Sequence, residues 1–228
     1  MIDRLVLPDP PSAARAAALR IAAELRGAIA LRGRASLAVS GGTTPWLMLA
    51  DLAVLPLDWE AVDILQVDER VAPDGDPDRN LTHLCEVLTG TAAAHARLHP
   101  MDVGGGDADA AAVLYCDVLR SLGGPIDVVH LGLGPDGHTA SLAPGDPVLD
   151  VTDVSVAATS HPFNGHIRVT LTYPALDAAR AIVWLVAGGG KGDMPTRLEA
   201  GDTSIPAGRV SRERAVLVLD RAAAGLPS

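Results

Sequence analysis

The chain has 228 residues, 48% of them hydrophobic, enough to bury a sizeable core and to argue against disorder. Its formal net charge of −10 argues against nucleic acid or an anionic membrane as partner; it would also repel an anionic small molecule unless cations are gathered locally. Three tryptophans, two tyrosines and Phe163 are the only aromatics, so the core must rest on Ala, Val and Leu, as suits helices packed on a parallel sheet.

In chain order, the opening Met1-Ile-Asp-Arg-Leu-Val-Leu-Pro8 lacks the apolar core of a signal peptide. Apolar residues at helical spacing and dense alanine predict an amphipathic helix over 12–32. The run 36–40 reads as a strand stopped by Gly41-Gly42, and a helical stretch follows over 45–52. Strand, glycine turn and helix begin a β-α unit. The alternation recurs, with a strand over 62–67, a helix over 80–88, and a helix over 109–122 ended by Gly123-Gly124-Pro125. Residues 126–133 are the most strand-like segment, and 154–158, 167–171, 181–186 and 215–219 are further strands, with helices around 172–180 and 191–200. This pattern predicts an α/β fold, a mostly parallel sheet with helices on both faces, in one domain over 1–228. Cys85 and Cys116 fit neither metal spacing nor a disulfide framework, and no run is long enough to span a membrane, so a cytoplasmic protein is expected by elimination.

Ligands of such sheets bind outside the carboxyl ends of the strands, so the residues after each strand carry the interest. After the first stand Ser40-Gly41-Gly42-Thr43-Thr44-Pro45, where two glycines admit a ligand close to the backbone and a helix start points free N–H groups at it. This is a credible phosphate cradle, although an ordinary β-α turn has the same look, and it lacks the third glycine and the Gly-Lys of nucleotide loops. After the second come Asp68-Glu69-Arg70, a solvated turn or a site in which Arg70 reaches an anion with its guanidinium fork. After 126–133 come Gly132-Leu-Gly134-Pro-Asp136-Gly137-His138-Thr-Ala-Ser141-Leu-Ala-Pro144-Gly145, too many glycines for a plain connection. The His138 side chain suits proton transfer at neutral pH, with Asp136 two residues away to orient it; the other six histidines lack this setting, and His95 and His99 read as surface residues. Toward the end, Arg168-Val-Thr170-Leu-Thr172 and Gly188-Gly-Gly190-Lys191 complete the set; Lys191 is the only lysine beside 17 arginines, a compact charge suited to phosphate.

Together the segments 40–45, 68–71, 132–142, 168–172 and 190–191 resemble the glucosamine-6-phosphate isomerase/6-phosphogluconolactonase family, in its lactonase branch, and occur in the family's order. The resemblance implies a Rossmann-like sheet without a dinucleotide, no metal or organic cofactor, and hydrolysis of 6-phospho-D-glucono-1,5-lactone to 6-phosphogluconate. A mechanism built from these residues expects His138 as general base on a water, Asp136 to orient it where the backbone brings the two together, and phosphate held by Arg168, Lys191, Thr43 and the Ser40-Gly41-Gly42 turn. Asp68 and Arg70 would contact substrate oxygens or phosphate, in a monomer or weak homodimer. Two departures stand out: Ala143 replaces the usual phenylalanine, which suggests a roomier pocket wall, and His161-Pro-Phe-Asn-Gly-His166 is an unusual approach to Arg168. An amino-sugar phosphate isomerase-deaminase is the nearest alternative, but its glutamate five residues after the histidine is Ala143 here, and its usual tyrosine is Arg70. A non-catalytic sugar-phosphate sensor is the other; no helix-turn-helix or basic arm supports it.

Overall fold

Asp9 accepts from the amide of Ser12 at 2.8 Å, and Pro10 with its preset φ begins the first helix two residues earlier than its apolar periodicity suggests. In the computed structural model, which describes residues 2–227, the order is β1 (Asp3–Leu7), α1 (Pro10–Arg32), β2 (Ala35–Val39), α2 (Thr43–Ala53), β3 (Val62–Gln66), β4 (Asp68–Arg70), α3 (Asn80–Leu88) and β5 (Arg97–His99). There follow α4 (Ala108–Ser121), β6 (Val128–Leu131), β7 (Val156–Ala158), β8 (Arg168–Leu171), α5 (Tyr173–Ala178), β9 (Ala181–Val186), α6 (Met194–Ala200), α7 (Pro206–Arg209) and β10 (Ala215–Asp220). Among the described residues no helix is long and apolar enough to cross a membrane.

Seven strands form one sheet in the order β1-β10-β9-β6-β2-β3-β5, and every pairing in it is parallel. Both faces are covered, as expected of the all-parallel case. Along β9, Ile182, Trp184 and Val186 face the core shared with α4, while Val183 and Leu185 face the core shared with α1 and α2. On α1, Ala14, Ala17, Ala18, Ile21, Ala22 and Leu25 recur at helical spacing and are buried; Ile21 and Leu25 each stabilise the fold by about 2 kcal/mol through burial alone. Gly33 ends the helix with φ of +74°, its amide closing on the Ile29 carbonyl at 2.7 Å.

The fold differs from the sequence expectation at three short strands. β1 and β5 take the two edges of the main sheet, where Asp3, Arg4 and Arg97 within the strands interrupt any apolar run. β4 is residues 68–70, expected as a turn; with β8 and β7 it forms a second, antiparallel sheet in the order β4-β8-β7. The amide of Leu171 donates to the Val67 carbonyl at 2.8 Å, and that of Val67 to the Val39 carbonyl at 3.0 Å, so the small sheet is stitched to the exits of β2 and β3.

Candidate active site

From β2 the chain moves to β3 and β5 on one side, then returns through β6, β9 and β10 on the other. The reversal lies between β2 and β6, and adjacent loops that part there open a crevice at the carboxyl ends of the strands. Ser40 leaves β2 at this point and Gly132 follows the exit of β6; the Ser40 hydroxyl donates to the His130 carbonyl at 3.0 Å and ties the two exits together. A cleft of about 300 Å³ opens here. Ser40, Gly41, Gly42, Thr43, Asp68, Arg70, His138, Arg168 and Lys191 all line it, so five distant segments meet at one rim. Asp136 stands behind His138 as its hydrogen-bond partner.

The helix that opens on this cleft lacks what its neighbours have. Asp9 caps α1, Asp107 caps α4 through the Ala110 amide, and the Glu69 carboxylate reaches the amides of Asn80 and Leu81 at the start of α3, each at 2.8 Å. At α2 the cap is Gly42, no side chain of the described residues caps it, and its first turn holds no acid. Unpaired N–H groups and the positive end of the helix dipole are left facing the cleft, a ready place for an anion. Gly41 packs against Asn80: a Cβ there would stand 2.0 Å from Asn80 Oδ1, so any side chain at 41 would displace Asn80.

The antiparallel ladder of β4 and β8 sets Arg70 directly opposite Arg168, and Asp68 opposite Thr170. Residues opposite one another share a face, so two arginine side chains start side by side and the Arg70 charge is felt at Arg168, an unfavourable pairing unless an anion lies near both. Asp68 relieves part of it, with Arg168 Nη1 at 3.6 Å from Oδ2, and its carboxylate also accepts from the Ser141 hydroxyl at 2.6 Å. Burial lowers the Arg168 pKa and the nearby Arg70 charge lowers it further, while the Asp68 carboxylate acts in the opposite sense. Arg70 donates to the Asp78 carbonyl, while its buried Nε has no hydrogen-bond partner among the described residues. Glu69 points to the other face, where it pairs with the buried Arg79 at 3.1 Å and caps α3.

After β6 the chain folds into a tight loop in which the Gly134 amide donates to the His138 carbonyl at 2.8 Å. A Cβ on Gly134 would stand 2.0 Å from His138 Nδ1, so glycine is what lets the imidazole lie down on its own loop. His138 Nδ1 is 2.5 Å from Asp136 Oδ1, which leaves Nε2 as the nitrogen free for other partners. Burial disfavours the Asp136 charge, but the hydrogen bonds and charge of His138 outweigh it and hold the carboxyl below its usual range. Lys191 follows the turn at Gly188, whose φ is +87°. It makes no ion pair with a carboxylate of the described residues, and burial lowers its pKa against the opposing pull of Asp136. A carboxylate-oriented imidazole beside a cationic, amide-lined recess can take a proton from water and hold an anion at the same time.

The unexpected members are Ser141, whose hydroxyl fixes the Asp68 carboxylate, Asn80, whose Nδ2 donates to the Asp68 carbonyl at 2.9 Å and reaches the carboxylate only at 3.5 Å, and His130 beneath the Ser40 turn. Asn80 opens a helix whose start gives no sign of a site. His130 is fully buried, and burial alone pushes its pKa down to about 3, so it is a neutral support whose Nδ1 accepts from the Ser40 amide at a long 3.4 Å. Its Nε2 has no partner among the described residues. His99 departs from a plain surface role: it lies on β5 with Nε2 at 2.8 Å from Asp63, while His95 is exposed at the end of a short turn. Ala143 is buried in the turn behind the cleft and does not form part of its wall. No group of three or more His, Cys, Asp and Glu side chains is arranged to hold a metal among the described residues.

The profile of the family described as glucosamine-6-phosphate isomerases/6-phosphogluconolactonase matches residues 8–219. A 6-phosphogluconolactonase of Rhizobium meliloti is 38% identical, covering 86% of each chain. Another, of Mycobacterium tuberculosis, is 36% identical over 98% of each. The crystal structure of a 6-phosphogluconolactonase from Shewanella baltica superposes with a TM-score of 0.88 at 29% identity, covering 96% of this chain and 97% of that one.

Proposed function

The chain belongs to the glucosamine-6-phosphate isomerase/6-phosphogluconolactonase family, and within it we propose that it hydrolyses 6-phospho-D-glucono-1,5-lactone to 6-phosphogluconate, a step of the pentose phosphate pathway. The observation that carries the reading is the pairing, across one cleft, of an uncapped helix start and two facing arginines with a histidine whose Nδ1 is already engaged. The first fits a phosphate; the second fits a base.

The steps follow from these positions. The phosphate sits at the amides of Gly42 and Thr43, between Arg168 and Lys191, with Ser40 and Gly41 shaping the turn, Arg70 meeting phosphate or sugar oxygens and Asp68 accepting from a sugar hydroxyl. Binding energy from this remote group aligns the ring carbonyl. A water attacks C1 and gives its proton to His138 Nε2, while Asp136 orients the ring and stabilises the imidazolium. Backbone N–H groups of the glycine-rich loops meet the oxyanion. Collapse breaks the bond from C1 to the ring oxygen, which takes the proton back from His138, and the new carboxyl ionises at neutral pH. The family's isomerase chemistry moves protons between carbons, and Ala143 cannot carry one. The reading is completed by a cytoplasmic location and action as one domain, in a monomer or weak homodimer.

The test is a pH-stat assay of fresh 6-phosphogluconolactone. Acid release far above spontaneous ring opening is expected, with no ammonia from glucosamine 6-phosphate. Ammonia release without acid release would overturn the assignment.

A further inference from the structure

The chain has a single phenylalanine, and it touches both halves of the site. Phe163 stands at one end of a tight hairpin: its amide donates to the His166 carbonyl at 2.9 Å, and Asn164 and Gly165 between them have φ of +51° and +87°. Positive φ at both central residues is the turn for which Asn-Gly is the favoured sequence. The hairpin is pinned on both sides. Asp146 accepts from the amides of Ser160 at 3.1 Å and His161 at 3.0 Å, and His166 Nε2 lies 3.0 Å from Asp78 Oδ2. The two departures from the family pattern meet at this anchor, because the Asp146 amide donates to the Ala143 carbonyl at 3.2 Å.

The Phe163 ring meets the His138 ring edge to face, with centroids 4.8 Å apart and planes at 72°. Arg168 Cζ is 5.1 Å from the same ring centroid, and Arg168 Nε donates to the Phe163 carbonyl at 3.0 Å. These contacts differ in how replaceable they are. Without the ring, Arg168 keeps the Phe163 carbonyl, the Ser141 hydroxyl at 3.5 Å and Asp68. The His138 ring keeps one hydrogen-bond partner among the described residues, Asp136 at Nδ1, above the Gly134 floor, and an imidazole held at one nitrogen can still pivot about that bond.

We propose that Phe163 is a positioning residue of the lactonase reaction: its ring fixes the plane of the His138 imidazole, and its carbonyl separately fixes Arg168. The proposal rests on His138 being the base. Side chain and backbone thus serve different steps, and a side-chain substitution separates them.

Steady-state kinetics on 6-phosphogluconolactone test it. Phe163→Ala should lower kcat about tenfold, the scale of a slightly misplaced group, with KM changed by less than about twofold. Phe163→Tyr should restore most of the loss. Phe163→Leu fills the space without an aromatic edge and should not, whereas rescue by leucine would reduce the ring to packing and overturn the proposal. In a His138→Ala background the second substitution should change kcat by less than about twofold, because the effect runs through the imidazole. A wild-type kcat in Phe163→Ala, a loss confined to KM, or the same tenfold loss without the histidine would each overturn it. An inactive His138→Ala beside a fully active Phe163→Ala removes the positioning role alone; an active His138→Ala removes the base, and the proposal with it.

Discussion

Arg168 and Asp68, on one wall of the cleft, have side chains 5% and 6% exposed, whereas His138 and Asp136 on the other are 25% and 42% exposed. The arginine wall is fixed from every side: the cross-strand ladder sets its spacing, Ser141 and Asn80 hold Asp68, and Glu69 anchors the reverse face to α3. The histidine wall is a single loop with one carboxylate and one ring against it. The difference fits the two tasks proposed for these walls. A group that holds a dianion must be set against charge repulsion and desolvation, and needs many partners; a group that exchanges protons with water must stay reachable by water.

His138→Ala should lower kcat by about 10²–10⁴-fold while substrate binding survives, measured by coupled assay of acid release. Equal damage to kcat and to binding of 6-phosphogluconate would erase the division of labour. Glu69→Ala attacks the other wall from behind: it leaves Arg79 buried without its carboxylate and uncaps α3, and should cost about 3–5 kcal/mol in urea unfolding. Arg168→Met should reduce kcat/KM about 10–100-fold, mostly through KM, as expected for lost charge-assisted bonds to phosphate. It should scarcely affect hydrolysis of a lactone without phosphate.

Lys191→Ala should raise KM about tenfold with little change in kcat. Burial holds the Lys191 pKa below that of a free lysine, so KM should climb as pH rises through that lowered value, and the climb should vanish in the variant. The last effect is on stability and concerns His130. Burial pushes it down to about 3 in the fold, while an unfolded histidine titrates near 6.5, so between those values the unfolded chain binds more protons. Stability should therefore fall as the pH drops below about 6.5, by up to about 1.4 kcal/mol per pH unit. His130→Asn, which keeps an acceptor near the Nδ1 position, should flatten that slope in urea melts at pH 7 and pH 5.

The two walls were also unequally legible. The histidine wall is local: Gly134, Asp136 and His138 are close in sequence, and their crowding after an apolar strand announces the site. The arginine wall is a product of pairing. Nothing in the triplet 68–70 says that it forms a strand opposite 168–170, because three polar residues carry no alternation that could be read. Asn80, Ser141 and Phe163 gain their places only once that small sheet exists. The main sheet was readable because its strands are buried on both faces and appear as apolar runs. Its edge strands β1 and β5 carry Asp3, Arg4 and Arg97, so no apolar run marked them.

The most direct test of the account is a structure of the protein bound to the product 6-phosphogluconate. The phosphate should lie at the Gly42–Thr43 amides within hydrogen-bond reach of Arg168 and Lys191, and the carboxylate end beside His138 Nε2. A phosphate seated away from the start of α2, or a carboxylate too far from His138 for one water to bridge, would contradict it.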